Sequence, residues 1–281
     1  LGSNSVTPLQ VVTAFSTFAN GGYKVEPYFI ELIEDSYGTV IERSSPTLAC
    51  PPNAEPQPIS DDPFAAMAEE FKQAEQVTDA DSCGGPDARY AKRIISEQTA
   101  FLVTEALKSV IWGGGNWSKG TGWNGTAWRA SRVVKRHDIA GKTGTTNESR
   151  DTWFSGFNPK LATTVWVGFD DHSKELGRTT WDANAAKDQI SAAEAGAKTA
   201  GPGWNEFMKD ALTGTPEIPT TPPQGIISVR IDLATGKLTR KTDYTSSFEY
   251  FISGTEPKEF TTETNESNDI FIEDSADELF Q

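Results

Sequence analysis

The chain is 281 residues long, with a mass of 30.5 kDa, a mean hydropathy of -0.47 and a net charge of -15. That length accommodates one large domain or two small ones, and 8 Trp and 15 Phe supply a core. No apolar run approaches the roughly 18 residues needed to cross a bilayer, and the acid excess disfavours a nucleic-acid partner. The excess is concentrated in two places. Residues 50–88 carry nine acids against Lys72 alone, residues 259–281 carry eight and no base, and the remainder is close to neutral.

Leu1-Gly2-Ser3-Asn4 has neither the basic start nor the apolar stretch of a signal peptide, so any export signal or anchor is expected upstream of this chain. Thr7-Pro8-Leu9-Gln10 then opens a helix: Thr caps it, Pro takes its first position, and Gln falls three residues after the cap. Val11, Ala14, Phe15, Phe18 and Ala19 recur at helical spacing until Asn20-Gly21-Gly22 stops the run. Residues 28–34 and 39–43 read as strands joined across Ser36-Tyr37-Gly38. Residues 44–92 change character, rich in Pro, Asp, Glu and Ala, and read as an acidic insertion with a short helix around Pro63 to Gln73. Ser96 caps the next helix, whose apolar stripe runs through Ala100, Phe101, Val103, Leu107, Val110 and Ile111 to Gly113-Gly114-Gly115.

Residues 116–132 read as a Gly- and Trp-rich loop, whose Trp117, Trp123 and Trp128 either wall a ligand or pack on the domain itself. Three strands are expected next, Asp138 to Thr143, Thr152 to Phe157 and Ala162 to Asp170, with turns at 146–150 and Asn158-Pro159. Loops this short require antiparallel neighbours. Two weaker helices are expected at Gln189 to Lys198 and Gly203 to Leu212, then a Thr/Pro-rich linker at 215–223. Ile227, Val229 and Ile231 alternate before a hairpin turn at Asp232 to Gly236. Beyond Lys258 the acidic tail, 259–281, is expected to be disordered and solvated. The whole reads as α+β, an antiparallel sheet flanked by helices.

Chemistry concentrates in Gly141-Lys142-Thr143-Gly144-Thr145-Thr146. A Lys-Thr-Gly tripeptide alone is a weak signal and gains meaning from its strand context. On a strand, Thr143 and Thr145 point to one face, where their hydroxyls suit a carboxylate and Lys142 adds positive charge. Gly141 and Gly144 leave room for a substrate backbone. The alternatives are a solvated strand-end lysine and ordinary β-propensity in the threonines. Arg129, Arg132, Lys135 and Arg136 make the approach basic, either to steer anionic ligands or as a solvated edge. Asp151, Trp153 and Phe154 read as structural: a turn anchor and aromatics under the sheet.

Gly125-Thr126-Ala127-Trp128-Arg129-Ala130, Arg136-His137-Asp138-Ile139-Ala140 running into Lys142-Thr143-Gly144-Thr145-Thr146, and Asp151-Thr152-Trp153-Phe154-Ser155-Gly156 closely resemble the transpeptidase domain of class A penicillin-binding proteins. Val165-Trp166-Val167-Gly168-Phe169-Asp170-Asp171-His172 and Leu176-Gly177-Arg178 are similar to the 1A type of Gram-negative bacteria in particular. Leu1-Gly2, Val6 to Leu9, Phe18 to Tyr23 and Gly254-Thr255-Glu256-Pro257 extend the resemblance over about residues 1–43 and 93–258. The acidic insertion and tail fall outside it.

The resemblance implies the penicillin-binding transpeptidase and serine β-lactamase-like fold. It implies a cell-wall synthase that transfers an acyl group from D-Ala-D-Ala stem peptides through a serine ester and is the target of β-lactam antibiotics. Lys142, Thr143 and Thr145 would be its catalytic wall, with Gly144, Thr146 and Trp128 binding substrate. No cofactor is implied. The family's other signatures, Ser-x-x-Lys and Ser-x-Asn, occur nowhere in the chain. The nucleophile is therefore expected in an upstream half of the same protein, with the glycosyltransferase domain and a membrane anchor, on the periplasmic face of the inner membrane. A β-lactam-hydrolysing or -sensing relative and a non-catalytic partner-binding module are the competing readings. Cys50 and Cys83 are either two free thiols or a pair; an extracytoplasmic setting favours a disulfide closing a 34-residue loop, worth about 3–4 kcal/mol. Neither His137 nor His172 shows ligand spacing with them, so no metal is expected.

Overall fold

The computed structural model describes residues 5–49, 89–184 and 190–261. Cys50, Cys83, the helix expected near Pro63 to Gln73 and the tail from residue 262 lie outside them. The chain divides into two compact units, with the boundary along the sequence between Gln224 and Gly225.

In the first unit, helix α1 (Pro8–Ala19) starts as expected: the Gln10 N–H donates to Thr7 Oγ1 at 3.2 Å, and Gln10 Oε1 accepts from the Thr7 N–H at 2.9 Å. This reciprocal cap satisfies two amides that a helix start leaves unpaired. Strand β1 (Tyr23–Lys24) follows, then the antiparallel hairpin of β2 (Leu32–Glu34) and β3 (Val40–Arg43). The Asp35 carboxylate closes that hairpin by accepting the Tyr37 and Thr39 N–H groups. The hairpin is exposed on both faces, with Phe29 at its approach 86% exposed and Tyr37 at its tip 92%.

Residues expected at the ends of the insertion are ordered by pairing. Strand β4 (Thr47–Leu48) runs parallel to β5 (Arg89–Tyr90), and β6 (Lys92–Arg93) pairs antiparallel with β1. Helix α2 (Glu97–Trp112) begins at Ser96, whose hydroxyl accepts the Thr99 N–H, and buries Ala100, Phe101 and Ile111. It stops at Gly113, which adopts φ +67°.

The stretch expected to be loop up to 132 contains a second element. Residues 128–134 form α3 (Trp128–Val134), with Ala130 and Val134 buried one turn apart. Three strands then form the expected meander: β7 (Ala140–Thr145), β8 (Asp151–Asn158) and β9 (Leu161–Gly168), in the order β7-β8-β9. A short pair, β10 (Arg178–Thr179) with β11 (Ala192–Ala193), leads to α4 (Ala200–Ala211). The helix expected at Gln189 to Lys198 is therefore corrected: its described part is a strand and a turn. That backbone is committed to holding the sheet, as described below.

The register sets which residues share a face. Thr143 lies opposite Phe154 and Thr145 opposite Thr152, while Lys142 lies opposite Ser155. Phe154 packs against Trp204 of α4 with ring centroids 4.7 Å apart, in a core with Ile111, Ala130, Ile139 and Met208. Phe157, of opposite alternation, meets Phe15 of α1 at 6.4 Å. The central strand β8 is thus buried on both sides, and β7 is an edge.

The second unit is built on an antiparallel pair, β12 (Ile226–Asp232) with β13 (Ser246–Ile252). The expected turn is present: Asp232 Oδ1 accepts the Ala234 and Thr235 N–H groups, and the Gly236 N–H returns to the Asp232 carbonyl. Glu259 to Thr261, expected within the tail, are held by backbone hydrogen bonds with Leu238 and an ion pair of Glu259 with Lys237 at 2.8 Å.

Candidate active site

Strand β7 emerges from the core. Ile139 and Ala140 are almost fully buried at its root, and Lys142 and Thr145 are exposed toward its tip. The Thr146 N–H donates to the Asp151 carbonyl, so this pair is hydrogen-bonded. Antiparallel rungs alternate, which turns the N–H and C=O of Thr145 and Thr143 away from β8, toward the open edge. Lys142 agrees with this: its ammonium donates to the Thr143 carbonyl at 3.0 Å and lies 3.4 Å from Thr143 Oγ1. Its side chain leaves the opposite face but curls round the edge to join the threonine hydroxyl.

Thr145 is held differently. Its Oγ1 accepts the Gly196 N–H at 3.0 Å. Accepting that bond leaves the hydroxyl proton free to donate. Gly196 lies so close across β7 and β8 that an added Cβ would sit 2.5 Å from the Trp153 carbonyl oxygen and 2.6 Å from that of Gly144. Only glycine fits there. The segment carrying it is fastened by Glu194, whose carboxylate accepts from Lys198 Nζ at 2.5 Å, Thr179 Oγ1 at 2.7 Å and Thr199 Oγ1. Burial disfavours the charge of Glu194, but these donors outweigh it and hold the carboxyl below its usual range.

Thr146 and Asp151 close the β7–β8 turn on each other. The Thr146 hydroxyl accepts the Asp151 N–H at 2.9 Å and donates to the Asp151 carbonyl at 3.1 Å, and Asp151 Oδ2 accepts from the Trp166 indole. Both polar roles of the Thr146 hydroxyl are therefore occupied in the turn.

A corner between α2 and α3 reaches the same edge. The Ala127 N–H donates to the Val110 carbonyl at 2.9 Å, and Gly125 approaches so closely that an added Cβ would fall 2.0 Å from that oxygen. Thr126, between them, projects outward, and its Oγ1 lies 3.4 Å from Thr143 Oγ1. Trp128, on the first turn of α3, is half-buried and covered by two guanidinium groups: Arg129 at 4.4 Å and Arg132 at 5.0 Å from the ring centroid.

Arg136 corrects the expectation of a basic approach. It is buried and grips Asp138 with two parallel hydrogen bonds, at 2.9 and 2.7 Å, while donating to the carbonyls of Leu212, Thr215 and Pro216. Its charge is spent inside, at the C-terminal end of α4. Asp138 is disfavoured as an anion by burial, yet Arg136 and the Ile218 N–H hold its carboxyl below the usual range.

The family model for the penicillin-binding protein transpeptidase domain matches residues 1–192, and that for the C-terminal domain of penicillin-binding protein 1A matches residues 222–266. The chain belongs to the penicillin-binding protein transpeptidase family. Penicillin-binding protein 1A of Vibrio cholerae is 47% identical over the whole chain, and that of Escherichia coli 43% over 92% of it. The chain spans 31% of the length of each of those relatives. A crystal structure of penicillin-binding protein 1A from Haemophilus influenzae is 37% identical, with a TM-score of 0.71 over 93% of this chain and 34% of that one. The α+β fold expected from the sequence is thus the fold of the family.

Within that family frame, the structure brings Lys142, Thr143 and Thr145 onto one strand edge, with Gly144 between them under Gly196. Thr126, Glu194 and Gly196 were not singled out for the site by sequence reasoning. Thr126 lies within Gly125-to-Ala130 with no role read for it; Glu194 has a local partner in Lys198, four residues on, but its bond to Thr179 spans 15 residues and that of Gly196 to Thr145 spans 51.

Proposed function

We propose that this chain is the carboxylate-binding wall of a D,D-transpeptidase, and that the whole protein transfers the acyl group of a D-Ala-D-Ala stem peptide through a serine ester. The observation carrying this reading lies at the β7 edge: the Lys142 ammonium is 3.4 Å from Thr143 Oγ1, and Thr145 follows two residues along on the same face of the strand. Two hydroxyl donors and a cation match a terminal carboxylate, whether that of D-Ala or of a β-lactam. The Thr145 N–H, turned to the same edge, is suited to donate to the carbonyl oxygen on which negative charge develops during attack. Losing one such donor costs about 3–4 kcal/mol of barrier. The serine itself comes from outside this chain, in a protein anchored upstream and facing the cell wall. Among the described residues no helix is long and apolar enough to cross a membrane.

Acylation of the full-length protein by a fluorescent penicillin tests the reading. Lys142→Ala should slow labelling by about a hundredfold, the upper scale for removing a hydrogen bond to a charged group. Unchanged labelling of that variant, or rapid turnover of the acyl-enzyme in the wild type, would reject the transpeptidase assignment.

A further inference from the structure

We infer that Thr126 is a further substrate-binding residue: its hydroxyl donates to the same carboxylate that Lys142 and Thr143 receive. This deepens the transpeptidase reading and rests on it. Three observations carry it. First, Thr126 Oγ1 and Thr143 Oγ1 lie 3.4 Å apart, and Thr143 Oγ1 lies 3.4 Å from Lys142 Nζ, so the three groups form one cluster at the strand edge. The two hydroxyl oxygens are spaced to donate to one carboxylate, from either side, at ordinary hydrogen-bond lengths.

Second, the corner carrying Thr126 is fixed. The buried Ala127 donates to the Val110 carbonyl, the Trp128 N–H donates to the Gly125 carbonyl at 3.2 Å, and Gly125 is pressed against the end of α2. A residue whose neighbouring backbone is already fixed on both sides loses little backbone freedom when a ligand binds. Third, Thr126 is itself exposed, flanked by the buried Gly125 and Ala127. Its methyl and hydroxyl contribute nothing to the core that would explain so firm an anchorage.

The test uses the full-length protein and measures the second-order acylation rate with two probes: benzylpenicillin, and its methyl ester, in which the carboxylate is neutralised. Thr126→Val keeps shape and removes the donor. It should slow acylation by benzylpenicillin about tenfold, the scale of a hydrogen bond to a charged group. With the ester, Thr126→Val and wild type should differ by no more than about twofold. Thr126→Ser, which restores the donor, should return to near wild-type rates, and the melting temperatures of all three should coincide. Equal loss with both probes, or failure of Thr126→Ser to recover, would reduce Thr126 to a shape-filling residue and overturn the inference. So would a Thr126→Val variant as fast as wild type with benzylpenicillin. In none of these cases does Lys142→Ala change its meaning: if the wild type takes no penicillin, it is the transpeptidase reading that fails.

Discussion

Four residues before β7, Arg136 spends its guanidinium on one carboxylate and three carbonyls. Breaking a buried ion pair by removing one partner strands the other, and costs about 3–5 kcal/mol. Arg136→Ala should therefore lower stability by that amount in denaturant unfolding, whereas replacing Arg136 and Asp138 together with Met and Leu should cost markedly less than the two single changes summed. The pair also sets a pH dependence. Asp138 has a folded pKa below that of the unfolded chain, so its contribution is complete above about pH 4, the ordinary aspartate range, and fades as acid is added below it. The double variant should lose less stability than wild type between about pH 5 and pH 2. Gly196 holds the Thr145 hydroxyl through its own N–H. Its side of β7 has no room for a methyl, so Gly196→Ala should push the segment off the strand, release the Thr145 hydroxyl and slow penicillin acylation while lowering the melting temperature. A variant as active and as stable as wild type would mean that Gly196 and Thr145 are not coupled.

At the scale of elements, what could be read from the sequence was whatever is encoded locally. The cap at Thr7 is complete within four residues. Thr7→Ala should remove about 1 kcal/mol from unfolding, with no change in acylation rate. Ser96 and the triple glycine bracket α2 equally well, and the three-strand meander follows from period-two alternation with short turns. Helix α3 escaped because its start at Ala127 has no capping side chain and its end at Lys135 takes φ 55° without Gly or Asn. Only two buried positions betray its period. The alanine-rich stretch after Gln189 misled in the opposite sense. Its composition favours a helix, but Glu194 and Gly196 are drawn into contacts with Thr179 and Thr145, and such tertiary bonds override a weak local preference. The same limit applied to the site. The strand and its Lys-Thr-Gly were legible, while its supports came from segments distant in sequence.

For the molecule as a whole, the motif and the contacts described for it lie within the first compact unit, and a second unit begins at Gly225. Ending the full-length protein at Gln224 should accordingly leave the penicillin acylation rate within about twofold of wild type, the spread expected of independent units. The 281-residue chain by itself contains no Ser-x-x-Lys and should take no covalent penicillin label, which intact mass would reveal directly. An adduct on the isolated chain would place the nucleophile within it.

The small hairpin of β2 and β3 is a weak point of the first unit. Four side chains of β3 face outward, and a two-stranded ribbon alone is only marginally stable in water. Its amide protons should trade with deuterated solvent well ahead of those in β8, whose two sides are both covered. Slow exchange there in the intact protein would reveal that some other surface shelters those rungs.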